Sequence, residues 1–173
     1  MTLSKQFEGQ YSGAALHSFV LGLSHSEALV HRILDQHRLS AIDPDEWYDL
    51  NTARSIYLMV AEQVGARSLK AVGQKMIEAA PFPPEVKDVR GVLSALDSAY
   101  RMNVRGPSIG RITSEFGEDG EAYITFSTPF PCALNLGIIQ GCCEKFGARP
   151  LIEHAPGECT DRGGKACGYR VTW

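Results

Sequence analysis

The sequence predicts an α+β fold, with N-terminal helices packed on a four-stranded, mainly antiparallel sheet built from two hairpins with a helix between them. Three observations predict it. Apolar residues recur at helical spacing through residues 26–100. The period shortens to two after Arg105-Gly106-Pro107. Two alternating segments then follow, divided by one more helical stretch over residues 132–146. At 173 residues the chain is expected to form a single domain over 1–173, helical to 104 and hairpin–helix–hairpin from 105 to 173.

Residues 6–23 carry Phe7, Tyr11, Leu16, Phe19, Val20 and Leu23 in a mixed pattern. Ser24 or Ser26 then caps a helix with Glu27 in its first turn. That helix runs to about Leu39, with Leu29, Val30, Ile33 and Leu34 on one face. His31 and His37 fall off the stripe and read as solvated. Ile42-Asp43-Pro44-Asp45 is a turn, and Trp47-Tyr48 leads into a helix over 50–64 striped by Ala53, Ile56, Tyr57, Val60 and Val64. Gly65 ends it. Leu69, Val72 and Met76 stripe a further helix, which Pro81, Pro83 and Pro84 stop. A fourth helix starts at Pro84 or Glu85, and Val86, Val89, Leu93, Leu96 and Tyr100 form its apolar face. This face serves as core or as a dimer surface.

Ile112, Ser114 and Phe116 share one side of a strand. Glu118-Asp119-Gly120 is a tight-turn signal, and Ala122, Ile124 and Phe126 alternate on the returning strand. Within the helix at 132–146, Gly137 and Gly141 mark a close approach by a neighbour. The last hairpin pairs about 149–154 with 166–173, and Cys167, Tyr169, Val171 and Trp173 share a face.

A net charge of −3 and a pI near 5.9 leave no basic footprint for nucleic acid. No apolar run is long enough to span a bilayer, and the first nine residues lack a signal pattern. The expected location is therefore cytoplasmic, where cysteines are thiols, metal ligands or core filler rather than disulfides.

Cys159 and Cys167 flank a Gly163-Gly164 hairpin tip, so a hairpin sets them face to face. Cys132 follows Pro131 at a helix N-terminus, where the dipole favours a thiolate. With His154 these residues supply the four thiolate and imidazole donors of a closed zinc site. In a fully extended strand His154 lies on the order of 16 Å from Cys159. It reaches the same ion only if residues 155–158 bulge, which Pro156 and Gly157 permit. Glu158 is the alternative fourth ligand, with Glu153 as a further oxygen donor. The competing reading is that these cysteines are small buried apolar residues. Cys142 and Cys143, adjacent on a helix, read as core.

Pro131-Cys132 with Gly137 and Gly141, and the run from His154 through Cys159, Gly163, Cys167, Tyr169, Val171 and Trp173, resemble vinyl-4-reductase-like small-ligand-binding domains. These share a fold superfamily with haem-nitric-oxide-binding domains and TRAPP vesicle-tethering subunits. The resemblance covers about residues 105–173. It implies a cytosolic, usually dimeric α+β domain with an apolar pocket between helices and sheet. Phenol-sensing relatives carry zinc on residues matching Cys132, Cys159 and Cys167. Their acidic fourth ligand falls on Pro156 here, and His154 takes its place. The haem-binding relatives' Tyr-x-Ser-x-Arg motif is not reproduced at Tyr100-Arg101, so haem on His17, His25, His31 or His37 ranks low.

The expected function is a stand-alone small-molecule-binding or sensory domain that signals through a partner protein. Phe116, Phe126, Tyr169 and Trp173 would line the pocket for a small apolar or aromatic ligand. Zinc would pin the last hairpin and hold one wall. The alternatives are a non-catalytic dimeric scaffold, and a haem- or tetrapyrrole-binding protein or enzyme.

Overall fold

The computed structural model describes residues 6–173. The reading of residues 1–5 as free of a signal pattern lies outside them. Two antiparallel sheets and a set of helices build the fold. A small sheet has the order β2-β1-β3, from β1 (Gln10–Ser12), β2 (Trp47–Asp49) and β3 (Val104–Arg105). The second sheet has the order β4-β5-β7-β6 and is antiparallel throughout. Its strands are β4 (Ile112–Phe116), β5 (Glu121–Phe126), β6 (Leu151–His154) and β7 (Cys167–Thr172). This is the four-stranded sheet of two hairpins that the alternating segments predict.

Two short helices, α1 (Gly13–Leu16) and α2 (Ser18–Gly22), fill the mixed stretch. Next come α3 (Glu27–Gln36), α4 (Leu50–Val64) and α5 (Ala66–Ala79). Asp49 caps α4 by accepting the N–H groups of Asn51 and Thr52. The helix expected from residue 84 starts later and breaks in two, α6 (Val89–Ser94) and α7 (Leu96–Asn103). Asp88 caps α6 at Gly91 N–H, while residues 83–86 form a turn. At the break, the Leu93 carbonyl accepts from the Ser114 hydroxyl, and Asp97 accepts from Ile112 N–H. Both bonds dock the kink onto β4. Val89, Leu93 and Leu96 are buried against the sheet, so this face is core and is not free to serve as a dimer surface.

The central element is α8 (Cys132–Lys145). Leu134 on one side joins a helical core with Leu16, Phe19, Tyr57 and Val72. Ile139, Cys142 and Cys143 on the other join a second core with Ile124, Phe126, Tyr169 and Val171. Helix α8 crosses α5 at glycines. A Cβ on Gly137 would stand 2.0 Å from the Lys70 carbonyl oxygen, and one on Gly73 2.5 Å from that of Leu134. Burial pushes the Cys142 and Cys143 thiols up, so both stay protonated filler.

Candidate metal centre

The last hairpin is not a tight one. The β6–β7 ladder ends where Ala155 N–H donates to Gly168 carbonyl. Pro156 and Gly157 then turn the chain, with Gly157 at φ +114, a conformation that favours glycine. The turn brings Cys159 back beside the strand end instead of further along it. A 3-10 turn, Thr160–Arg162, follows, and Gly163 at φ +83 closes the loop with Gly164 N–H on the Cys159 carbonyl. Cys167 opens β7 opposite Phe126.

These elements bring four donors together. Cys132 Sγ, Cys159 Sγ, Cys167 Sγ and a His154 ring nitrogen all lie within 4.8 Å of one another. The Sγ atoms of Cys159 and Cys167 are 3.7 Å apart. Thiolates at about 2.3 Å from a tetrahedral zinc ion stand roughly 3.8 Å from each other. Glu158 lies outside this group; its carboxylate accepts Lys165 N–H within the loop. Glu153 faces Arg170 across the ladder and is exposed.

The histidine carries the most specific signal. His154 Nδ1 lies 2.7 Å from the Ala155 carbonyl oxygen. A carbonyl only accepts, so the ring proton sits on Nδ1 and Nε2 presents a lone pair. Nε2 is buried and has no hydrogen-bond partner among the described residues. A buried polar nitrogen left alone costs about 1–3 kcal/mol. A bound metal removes that cost, and a carbonyl on the other ring nitrogen is the usual support of a ligating histidine.

The surroundings complete the arrangement. The Thr160 backbone N–H donates to Cys167 Sγ at 3.3 Å, and its hydroxyl lies 3.2 Å from the same sulfur. The Tyr169 hydroxyl donates to Cys132 Sγ at 3.1 Å and accepts from Asn135 Nδ2 at 3.4 Å. Its ring meets His154 edge to face at 5.1 Å. The hydrogen bond with Cys132, opposed by burial and helped by Thr160, lowers the Cys167 thiol from its ordinary value. The same pairing with Cys167, then burial, holds Cys132 far above the thiol range. A thiol lowered in this way moves toward the thiolate form that metals bind.

Asp161 was not a sequence candidate. Its carboxylate accepts Cys132 N–H at 3.0 Å and caps α8 from 29 residues away. The helix has Pro131 at its own N-cap position, which provides no side-chain cap. That lack is the one sequence trace of the contact.

The residues expected to line an apolar pocket pack as core instead. Phe126 and Tyr169 meet edge to face at 5.8 Å, both fully buried, because inward positions of β5 and β7 face α8 directly. Phe116 lies under the Arg90 guanidinium at 4.6 Å, and Trp173 is half-buried against the same core. A cleft of about 460 Å³ lies elsewhere, between α4 and the metal hairpin. Arg54, Leu58 and Glu62 form one wall; residues 129–131 with Thr160 and Asp161 form the other.

No family model matches the chain, and no curated protein does. Solved structures do. An H-NOX protein from S. oneidensis, in its Fe(II) ligation state, superposes with a TM-score of 0.73 at 17% identity, over 93% of this chain and 95% of that one. A structure from work on haem distortion in the H-NOX family gives 0.74 at 18% identity, over 94% of each chain. An oxygen-binding H-NOX domain related to soluble guanylate cyclases gives 0.66 at 17%, over 92% and 91%. The chain therefore has the fold of haem-nitric-oxide/oxygen-binding domains, one of the folds of the superfamily expected from the sequence. The vinyl-4-reductase-like family is not represented among these structures.

Proposed function

We propose that the chain is a small-molecule-sensing domain that holds one zinc ion on Cys132, His154, Cys159 and Cys167 and passes its state to a partner protein. The observation that carries this is the unpartnered, buried His154 Nε2 among three thiols. Four protein donors of this type make a closed site, and its first effect is to tie the β6–β7 loop to the N-terminus of α8. Sensing is supported by the fold, which the chain shares with domains described by the gases and the haem they bind. The vinyl-4-reductase-like resemblance of residues 105–173 supports the same class. Nothing in this proposal requires an enzyme.

The haem named for structures of this fold makes haem the competing cofactor, against the low rank the sequence gives it; the described side chains favour the Cys3His site instead. Haem needs a flat slot and an axial donor. Where the helical layer meets Phe130, rings pack edge to face or tilted: Phe130 lies 4.8 Å from Tyr11, 5.7 Å from Tyr57 and 6.4 Å from Tyr100. The hydroxyls of Tyr11 and Tyr57 bond to one another, and that of Tyr100 to the Ile109 carbonyl. His25 and His31 are exposed, His17 is half-exposed, and His37 uses both ring nitrogens, on Ile33 carbonyl and Ser55 hydroxyl. His154 is committed to the thiol cluster. The Cys3His set suits zinc in its donor types and in its sulfur spacing.

Metal analysis of untagged protein tests the proposal. The expected result is about one zinc per chain, with Cys159→Ser losing both the metal and thermal stability. Protein that folds and stays metal-free after zinc addition would sink it. In parallel, haemin added to the purified protein is expected to give no protein-bound Soret band. A stoichiometric band would restore the haem reading.

A further inference from the structure

The four donors are not equivalent. His154, Cys159 and Cys167 belong to one hairpin, held by the β6–β7 ladder and the Thr160 contacts. Cys132 comes from another element, the first residue of α8, and is half-exposed where Cys159 and Cys167 are buried. Its sulfur accepts the Tyr169 hydroxyl, and a hydrogen bond to a ligating sulfur draws electron density away from the metal. The join between hairpin and helix does not depend on that sulfur, because Asp161 holds the Cys132 backbone N–H. The 460 Å³ cleft borders the site on this side: Pro131 precedes Cys132, and Thr160 and Asp161 are the residues that touch Cys167 and Cys132.

We propose that Cys132 is the exchangeable ligand of this metal centre, and that the cleft admits a small thiol or hydrogen sulfide to the position it leaves. This deepens the zinc reading and rests on it. The remaining two thiolates and one imidazole form a soft set that favours sulfur in the fourth position. Among the described residues, the cleft is lined by the carboxylates Glu62 and Asp161 and by one cation, Arg54, whose Nε already donates to the Pro129 carbonyl. An anion is therefore opposed, and the donor enters as a neutral thiol. The exchange balances without a redox partner. The bond from Cys132 Sγ to the metal breaks and one from the incoming sulfur forms. The proton of the incoming thiol passes to Cys132 Sγ, which keeps its hydrogen bond with Tyr169. Small thiols or sulfide are then the sensed ligand class, and release of Cys132 from the ion is the first change their binding makes.

Cobalt(II) substitution with 2-mercaptoethanol as probe tests this. Cys132→Ser is expected to keep about one cobalt per chain, with affinity reduced less than about 100-fold. It should lose about a third of the sulfur-to-cobalt absorption and regain it when 2-mercaptoethanol is added. Cys159→Ser should lose the metal and regain nothing. Emptying of the site by Cys132→Ser, or an unchanged spectrum with thiol, would overturn the proposal while leaving zinc binding intact. Wild-type protein that takes up no cobalt or zinc would overturn both. A second readout needs no variant. Iodoacetamide on the zinc-loaded wild type should label Cys132 first with zinc retained. Equal labelling of Cys159, or labelling only with metal loss, contradicts the assignment.

Discussion

His154 gains its role from one hydrogen bond. The Ala155 carbonyl fixes the proton on Nδ1, and Nε2 is left with a lone pair and no hydrogen-bond partner among the described residues. His154→Phe keeps the edge contact with Tyr169 and removes the donor. The expected outcome is a folded protein whose zinc affinity falls by more than about 100-fold, beyond the 10–100-fold of a supporting residue, because His154, unlike the exchangeable Cys132, is a donor the site keeps throughout. Competition with a chromophoric chelator measures it, and unchanged affinity would remove His154 from the site. The placement of this residue was legible in the sequence, because Pro156 and Gly157 allow the bulge that returns Cys159 to it. Asp161 was not legible: a cap supplied from 29 residues away leaves no local pattern.

At the scale of elements, the contact of α5 with α8 sets the tolerance of the fold. Gly137→Ala places a Cβ against the Lys70 carbonyl, which is backbone and cannot yield cheaply. A loss of about 1–3 kcal/mol or more is expected in denaturant unfolding; a neutral variant would mean the two helices are not in this contact. The period of the sequence revealed the long helices and both hairpins. It missed β1, β2 and β3, since strands of two or three residues have no period to read. It also missed the break at Ala95, because the 3-4-3-4 spacing runs through it. Only the docking of Leu93 and Asp97 onto β4 creates the kink.

At the scale of the whole molecule, the tyrosines beneath Phe130 give the fold a pH signature. Burial raises Tyr11 well above the usual phenol range and Tyr57 to about 12, and it raises Tyr100 as well. The unfolded chain loses these protons near pH 10 and the native chain does not. Their contribution to stability is thus complete below about pH 10 and declines as pH rises toward 12. Thermal unfolding between pH 8 and 11 should show a midpoint that holds and then drops. Tyr57→Phe should flatten the drop, and an equal drop in the variant would assign it elsewhere. Residues expected to line an apolar pocket pack as core, and a cleft lies beside the candidate metal hairpin. Phe126 and Tyr169 look the same in sequence whether they line a pocket or fill it. Only the inward packing of α8 on the sheet decides between these.

The most direct test of a metal centre on these four residues is zinc K-edge X-ray absorption of protein loaded with one equivalent of zinc. The account predicts three sulfur neighbours at about 2.3 Å and one nitrogen at about 2.0 Å. A shell of oxygen and nitrogen alone would place the metal elsewhere on the chain and contradict it.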